Sequence, residues 1–167
     1  MKFSTVSAVA GFTFMAMLDC AVARQAPQRT PPQEHALNIP ASEMKWQRIF
    51  PEFGERSAEI AILHSDPITG ATRLMIRVPK DSHVPLHWHS ANETHTIVSG
   101  VFVMECEGRR QALPAGSFNY IPSKMKHQAW TTPEEGALLF ITVDGPWDVN
   151  WVNGPPKASD LMGGVRP

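Results

Sequence analysis

Thiols are nearly missing from this sequence: it has two cysteines in 167 residues, and one of them, Cys20, lies in the apolar opening stretch. There, Lys2, the mostly apolar and small residues from Phe3 to Leu18, and then Ala21-Val22-Ala23 have the layout of a secretory signal peptide cut after Ala23. Cleavage removes Cys20 and leaves Cys106 as the sole thiol, which excludes an intramolecular disulfide in the mature chain even in an oxidising compartment. Asp19 stands where a lipid-anchor motif needs a small uncharged residue, so lipidation of Cys20 is disfavoured. Long apolar runs are missing too. Ser4, Thr5, Ser7, Thr13 and Asp19 leave the opening stretch short of the roughly 20 apolar residues of a membrane span. The expectation is therefore a periplasmic or secreted protein with no membrane attachment after cleavage. Charge of either sign is not in excess: the formal net charge is -1 and the pI about 6.6. That removes the electrostatic case for nucleic acid or an anionic membrane surface as partner. No internal repeat and no convincing long helix are present.

What the chain does have is a 43% hydrophobic fraction, enough over this length for one well-buried core and too little for two. Residues 24–40, rich in Pro and Gln, read as a disordered linker. A lead-in segment from Trp46 to Phe53, broken by Pro51 and Gly54, is expected to lie across the core. Short strands separated by turn residues follow. Expected strands are Glu59 to His64, Thr72 to Val78 with Arg73 and Arg77 toward solvent, and Val84 to His89. A hairpin of Glu93 to Val98 and Val101 to Cys106 is expected around Ser99-Gly100. Further strands run from Arg109 to Leu113, Ser117 to Ile121, Lys126 to Trp130, Ala137 to Val143 and Trp147 to Val152. Residues 154–167, with their Gly and Pro, read as a disordered tail. The domain is thus residues 41–153, an all-β antiparallel sandwich or barrel. Within it Cys106 is expected to be buried and unreactive.

The stretch from Pro85 to His95 packs three histidines and a glutamate between two of these strands. Side chains alternate along a strand, so His87 and His89 share a face and Trp88 takes the other. Ser90-Ala91-Asn92 can turn the chain back and bring Glu93 to the same face. Two imidazoles and a carboxylate with open positions form the donor set of many first-row metal centres. His127, opening a later strand, joins them if the sheet closes on itself.

These residues resemble the two motifs of the cupin superfamily: Asp81, His87, His89, Glu93 and Gly100 fall on the first, and Gly116, Pro122, Lys124, His127 and Thr131 on the second. Asp81 and Lys124 stand where the family has turn glycines, and Thr131 where it has asparagine. The resemblance implies a single cupin-type barrel or jelly roll, with His87, His89, Glu93 and His127 as ligands of one divalent transition metal ion. Iron, manganese, nickel, copper and zinc all suit that set. It also implies a metal-dependent enzyme acting on a small organic molecule. Dioxygenase-type chemistry is the leading expectation, with a redox-neutral lyase or isomerase, or a non-catalytic binding module, as alternatives. His95, two residues beyond Glu93 and on its face, is the candidate general acid or base. Tyr120, the only tyrosine, is a candidate catalytic phenol of the kind some lyase cupins use, or else packs with Phe118. His64 and His83 are expected at the surface, and Trp88, Trp130, Trp147 and Trp151 in the core or at an interface. Cupins are often dimers, and exposed edge strands make a homodimer an expectation here.

Overall fold

Alternation in the sequence is obeyed in Thr72–Val78, where Thr72, Leu74 and Val78 are buried and Arg73 and Arg77 face solvent. The structure, a computed structural model, describes residues 35–165, so the expected signal peptide and most of the expected linker lie outside the described residues. One compact unit begins at Asn38 and takes in everything described after it. Among the described residues no helix is long and apolar enough to cross a membrane.

Ten strands form one curled antiparallel sheet: β1 (Gln47–Arg48), β2 (Glu59–Ser65), β3 (Thr72–Val78), β4 (His83–Trp88), β5 (Glu93–Cys106), β6 (Arg109–Pro114), β7 (Phe118–Ile121), β8 (His127–Thr131), β9 (Ala137–Val143) and β10 (Asn150–Trp151). Their order is β1-β2-β3-β9-β5-β8-β4-β10, with β6 and β7 also paired to β5. The fold is all-β, a cupin-type antiparallel barrel. Among the described residues, helical structure is confined to short 3-10 turns at Ala41–Glu43, Pro51–Arg56 and Ala158–Leu161.

The expected hairpin at Ser99-Gly100 is not formed; Glu93–Cys106 is one strand of 14 residues. A register shift between Ile97 and Ser99, followed by Gly100 at φ +76°, makes a bulge that bends the strand. Its first half pairs with β9 and β7, and its second with β6 and β8. Each half thereby gains an apolar partner the other half would not supply: Ile97 lies opposite Leu139, and Phe102 opposite Leu113. Gly100 is required twice over, because a Cβ there would also lie 1.9 Å from the Gly136 carbonyl oxygen. This bent strand carries the core, in which Leu74, Ile97, Phe102, Leu139 and Ile141 are almost wholly buried.

Two further expectations are corrected. The strand placed at Trp147 to Val152 shrinks to Asn150–Trp151. Residues 154–165 are not a loose tail: Ser82 bridges Met162, Gly164 N–H donates to Asp81 Oδ1 at 2.8 Å, and Val165 N–H donates to Thr131 O at 3.1 Å. Glycine is what permits the docking, since a Cβ on Gly164 would meet the Thr131 carbonyl oxygen at 2.6 Å. The motif departures find their roles here too. Asp81 and Lys124 adopt the left-handed backbone of the glycines they replace, at φ +54° and +64°. Thr131 ties the same corner together, donating to Pro79 O at 2.6 Å and accepting from Ser82 N at 3.0 Å.

Candidate metal centre

Strand parity sends His87 into the barrel from β4, and His127 lies directly across from it on β8. His89 follows just past the end of β4, where the chain is held by its neighbours. Lys124 N–H donates to His89 O at 2.8 Å, and Ser90 N–H donates to Asp148 Oδ1 at 2.8 Å. The Ser123 hydroxyl donates to Ser90 O at 2.8 Å. The three imidazoles are 4–5% exposed or less. Their ring centroids lie 4.2 Å apart for His87 and His127, 5.0 Å for His87 and His89, and 5.1 Å for His89 and His127. One nitrogen from each falls within 4.8 Å of the others.

Main-chain carbonyls decide which nitrogens those are. His87 Nδ1–H donates to Pro85 O at 2.7 Å, His127 Nδ1–H donates to Met125 O at 3.0 Å, and His89 Nδ1–H donates to Asp148 O. A carbonyl only accepts, so the proton sits on Nδ1 and each neutral ring keeps its lone pair at Nε2. Electrostatics act the same way on two of the rings. Burial, reinforced by His127 and His89, takes His87 down to about 3, and burial takes His127 down to about 4. Both are therefore uncharged near neutrality. His89 moves upward: burial opposes its charge, but the Glu93 carboxylate at 2.9 Å outweighs burial.

Glu93 enters from the first half of β5, 1% exposed, with Oε2 2.9 Å from His89 Nε2 and 3.0 Å from His95 Nε2. Burial would raise its pKa, but His95 and then His89 hold the carboxyl well below its usual range. Close as these contacts are, neither is aligned as a hydrogen bond, and Glu93 Oε2 and His127 Nε2 are both buried without a hydrogen-bond partner. Two orphaned lone-pair atoms beside two more imidazoles are what a cation would satisfy. The residues present fit a bound metal ion, with His87, His89 and His127 at the centre of that fit and Glu93 as the neighbouring carboxylate.

The centre opens into a cavity of about 90 Å³, several times the ~10–15 Å³ that one water needs on the same kind of measure. His95 faces inward and lines it, 5% exposed, with its ring 6.1 Å from that of Phe102. Tyr120 does not. Its register partner is Thr94, one residue out of phase with Glu93 and His95, so it stands on the outer face and is 54% exposed. The expected packing face of Phe118 and Tyr120 is likewise uncovered by the described residues, Phe118 being 63% exposed. Asn119 and Ile121, not the aromatic pair, share the inward phase. Cys106 is half-buried rather than buried, and burial, followed by Glu107, pushes its thiol up, which disfavours a reactive thiolate.

Residues passed over in the sequence also take part. Trp147 and Trp151 line the cavity, the latter with its ring 5.2 Å from that of His87. His83, expected at the surface, stacks on Trp130 at 4.9 Å and lines the cavity as well. Two tryptophans four residues apart just beyond the last core strand are a signal that could have been followed. The Asp148 carbonyl that orients His89 is a main-chain group and has none.

A family model described as the ChrR Cupin-like domain matches residues 34–146. Among solved structures, the polyketide cyclase RemF from Streptomyces resistomycificus superimposes with a TM-score of 0.60 at 16% identity, covering 76% of this chain and 99% of that one. A protein described as a candidate acetylacetone dioxygenase from Methylibium petroleiphilum gives 0.59 at 16% identity, covering 81% and 93%. A predicted oxalate decarboxylase from Thermotoga maritima gives 0.56 at 22% identity, covering 65% and 98%. No curated protein matches the chain in sequence.

Proposed function

The chain belongs to the ChrR cupin-like family, and from that premise and its site geometry we propose that it is an exported, metal-dependent cupin enzyme acting on a small organic molecule, with dioxygenase-type chemistry favoured. One observation carries the reading: three buried imidazoles with their nitrogens within 4.8 Å, two of them uncharged near neutrality, face a mostly apolar cavity beside an ionised glutamate and a fourth histidine. His87, His89, His127 and Glu93 would hold the ion. Bound there, a first-row ion supplies Lewis acidity to a substrate oxygen and, when redox-active, electron transfer to dioxygen.

The chain's own residues do the rest. Nδ1 hydrogen bonds to main-chain carbonyls keep the three rings from turning, so the donor set is in place before substrate arrives. Glu93 Oε2, 3.0 Å from His95 Nε2, favours a proton on that nitrogen and leaves His95 Nδ1, which has no partner, to accept one from substrate. Apolar walls keep bulk water from the reacting atoms. Tyr120, on the outside, has no part in it. Support for export is the sequence from Lys2 to Ala23.

Metal analysis of protein purified without a chelating tag, followed by oxygen uptake against a panel of diketones, phenols and carboxylic acids, tests the proposal. Substrate-dependent uptake is the expected result. Product without uptake replaces the oxygenase with a lyase or isomerase, and tight ligand binding without turnover leaves a binding module.

A further inference from the structure

We propose that the ligand of this cavity is a small, largely apolar molecule, neutral or singly anionic, that offers an oxygen acceptor to the indole N–H of Trp147 besides the oxygen it presents to the metal centre. The inference rests on the metal-dependent reading above and narrows it to a substrate class. Its basis is an inventory of the lining. Ile49, Phe50, Ile76, Phe102, Met104 and Leu139 make much of the wall apolar. Among the polar groups, most are already committed. Ser82 Oγ donates to Lys80 O at 3.4 Å, and the two ring nitrogens of His83 meet Asp160 O at 3.0 Å and Gln128 Oε1 at 3.1 Å. Arg56, an exposed residue at the edge of the lining, reaches Met162 Sδ at 3.4 Å. His87, His89, His127 and Glu93 belong to the centre, and His95 faces Glu93.

That leaves Trp147. It lines the cavity, and its Nε1 is shut off from solvent and meets no acceptor among the described residues. A buried donor left unpaired is costly, and native structures rarely keep one without a partner that comes and goes. An oxygen on the ligand relieves it. The same inventory excludes other classes. A polyol or sugar acid needs several buried donors and acceptors along the wall, and among the described residues Trp147 Nε1 is the one buried side-chain donor of the lining outside the centre that has no partner. A divalent ion with Glu93 leaves the centre at +1, which one enolate, phenolate or carboxylate neutralises. A dianion would leave a buried negative charge with no second buried cation to meet it.

The test uses the zinc-loaded full chain, which is diamagnetic, labelled with 15N, and three probes: benzoylacetone, oxalate and gluconate. Benzoylacetone should bind most tightly and move the Trp147 indole N–H signal downfield, with the signal assigned by through-bond experiments. W147F should keep its zinc and its remaining indole signals while binding benzoylacetone about tenfold more weakly, the loss of one hydrogen bond. Unchanged binding in W147F, or an unmoved Trp147 signal in the unaltered protein, overturns the role of Trp147, and the signal serves even if the variant does not fold. Tighter binding of oxalate or gluconate overturns the ligand class while the metal reading stands. Failure to take up zinc overturns the metal reading itself.

Discussion

His87, His89 and His127 are held in one way and His95 in another, although all four are buried within the same barrel. The first three each donate Nδ1–H to a main-chain carbonyl, which fixes both ring orientation and tautomer. Among the described residues, the polar contact of His95 is the close approach to Glu93 at Nε2, and its Nδ1 has no hydrogen-bond partner. Groups that must present a lone pair to one point gain from being locked by the backbone, whereas a group that must pick up and release a proton gains from keeping a nitrogen free. The strands divide the work accordingly. β4 and β8 position the imidazole set, and the first half of β5 carries Glu93 and His95.

The largest effect is expected where the locked set is broken. His87→Ala and His127→Ala should each lose most bound metal and, with it, turnover. Metal-to-protein ratios equal to those of the unaltered protein would remove these residues from the ligand set. His95→Gln should keep the metal and the fold and lose turnover by roughly 100- to 10,000-fold, the usual cost of deleting a general acid or base. A drop of only a few-fold with metal retained would make His95 a packing residue and pass the proton to Glu93 or water.

Smaller, and readable without substrate, is the pH response of the metal-free protein. His87 and His127 sit at about 3 and about 4 when folded, against an ordinary value of 6.5. On acidification the unfolded chain takes up these protons first, so the stability these two rings contribute should fall from about pH 6.5 downward and level off below about 3, while Glu93, its carboxyl held well below its usual range, adds a further loss at lower pH. His89, shifted upward, contributes the opposite slope, present below its ordinary value and lost as pH rises through its folded one. Melting temperatures at pH 7 and pH 5 check the balance. A metal-free protein that melts higher at pH 5 would show that the upward shift of His89 outweighs the downward shifts of His87 and His127. Least affected should be Tyr120→Phe, with metal content and turnover within about twofold of the original. A large loss would place the phenol in the site after all, against its 54% exposure.

Much of the centre was legible because side-chain parity is local. His87 and His89 at spacing two, and Glu93 and His95 at spacing two, each share a face whatever the rest of the chain does. The apolar run Ala137–Val143 likewise declares its own bounds. Parity does not say which face is the inside when both phases are plausible. In Phe118–Ile121 the more aromatic phase, Phe118 and Tyr120, invited an inward reading, yet pairing of Ile121 with Glu93 fixed the other.

Taken alone, the sequence determined the strand periodicity, the ligand types and their shared faces, and a motif pattern specific enough to imply the barrel. Tertiary structure alone decided that β5 runs on through Gly100, that Trp147 and Trp151 wall the cavity, that the Asp148 carbonyl orients His89, and that residues 154–165 dock. The physical reason is one of range. Alternation and turn chemistry act between residues a few positions apart and leave their mark on residue type. Strand partners, cavity walls and an acceptor such as the Asp148 carbonyl, 59 positions from His89, are chosen between segments distant in the chain, by burial and hydrogen bonding that any of several residue types could satisfy.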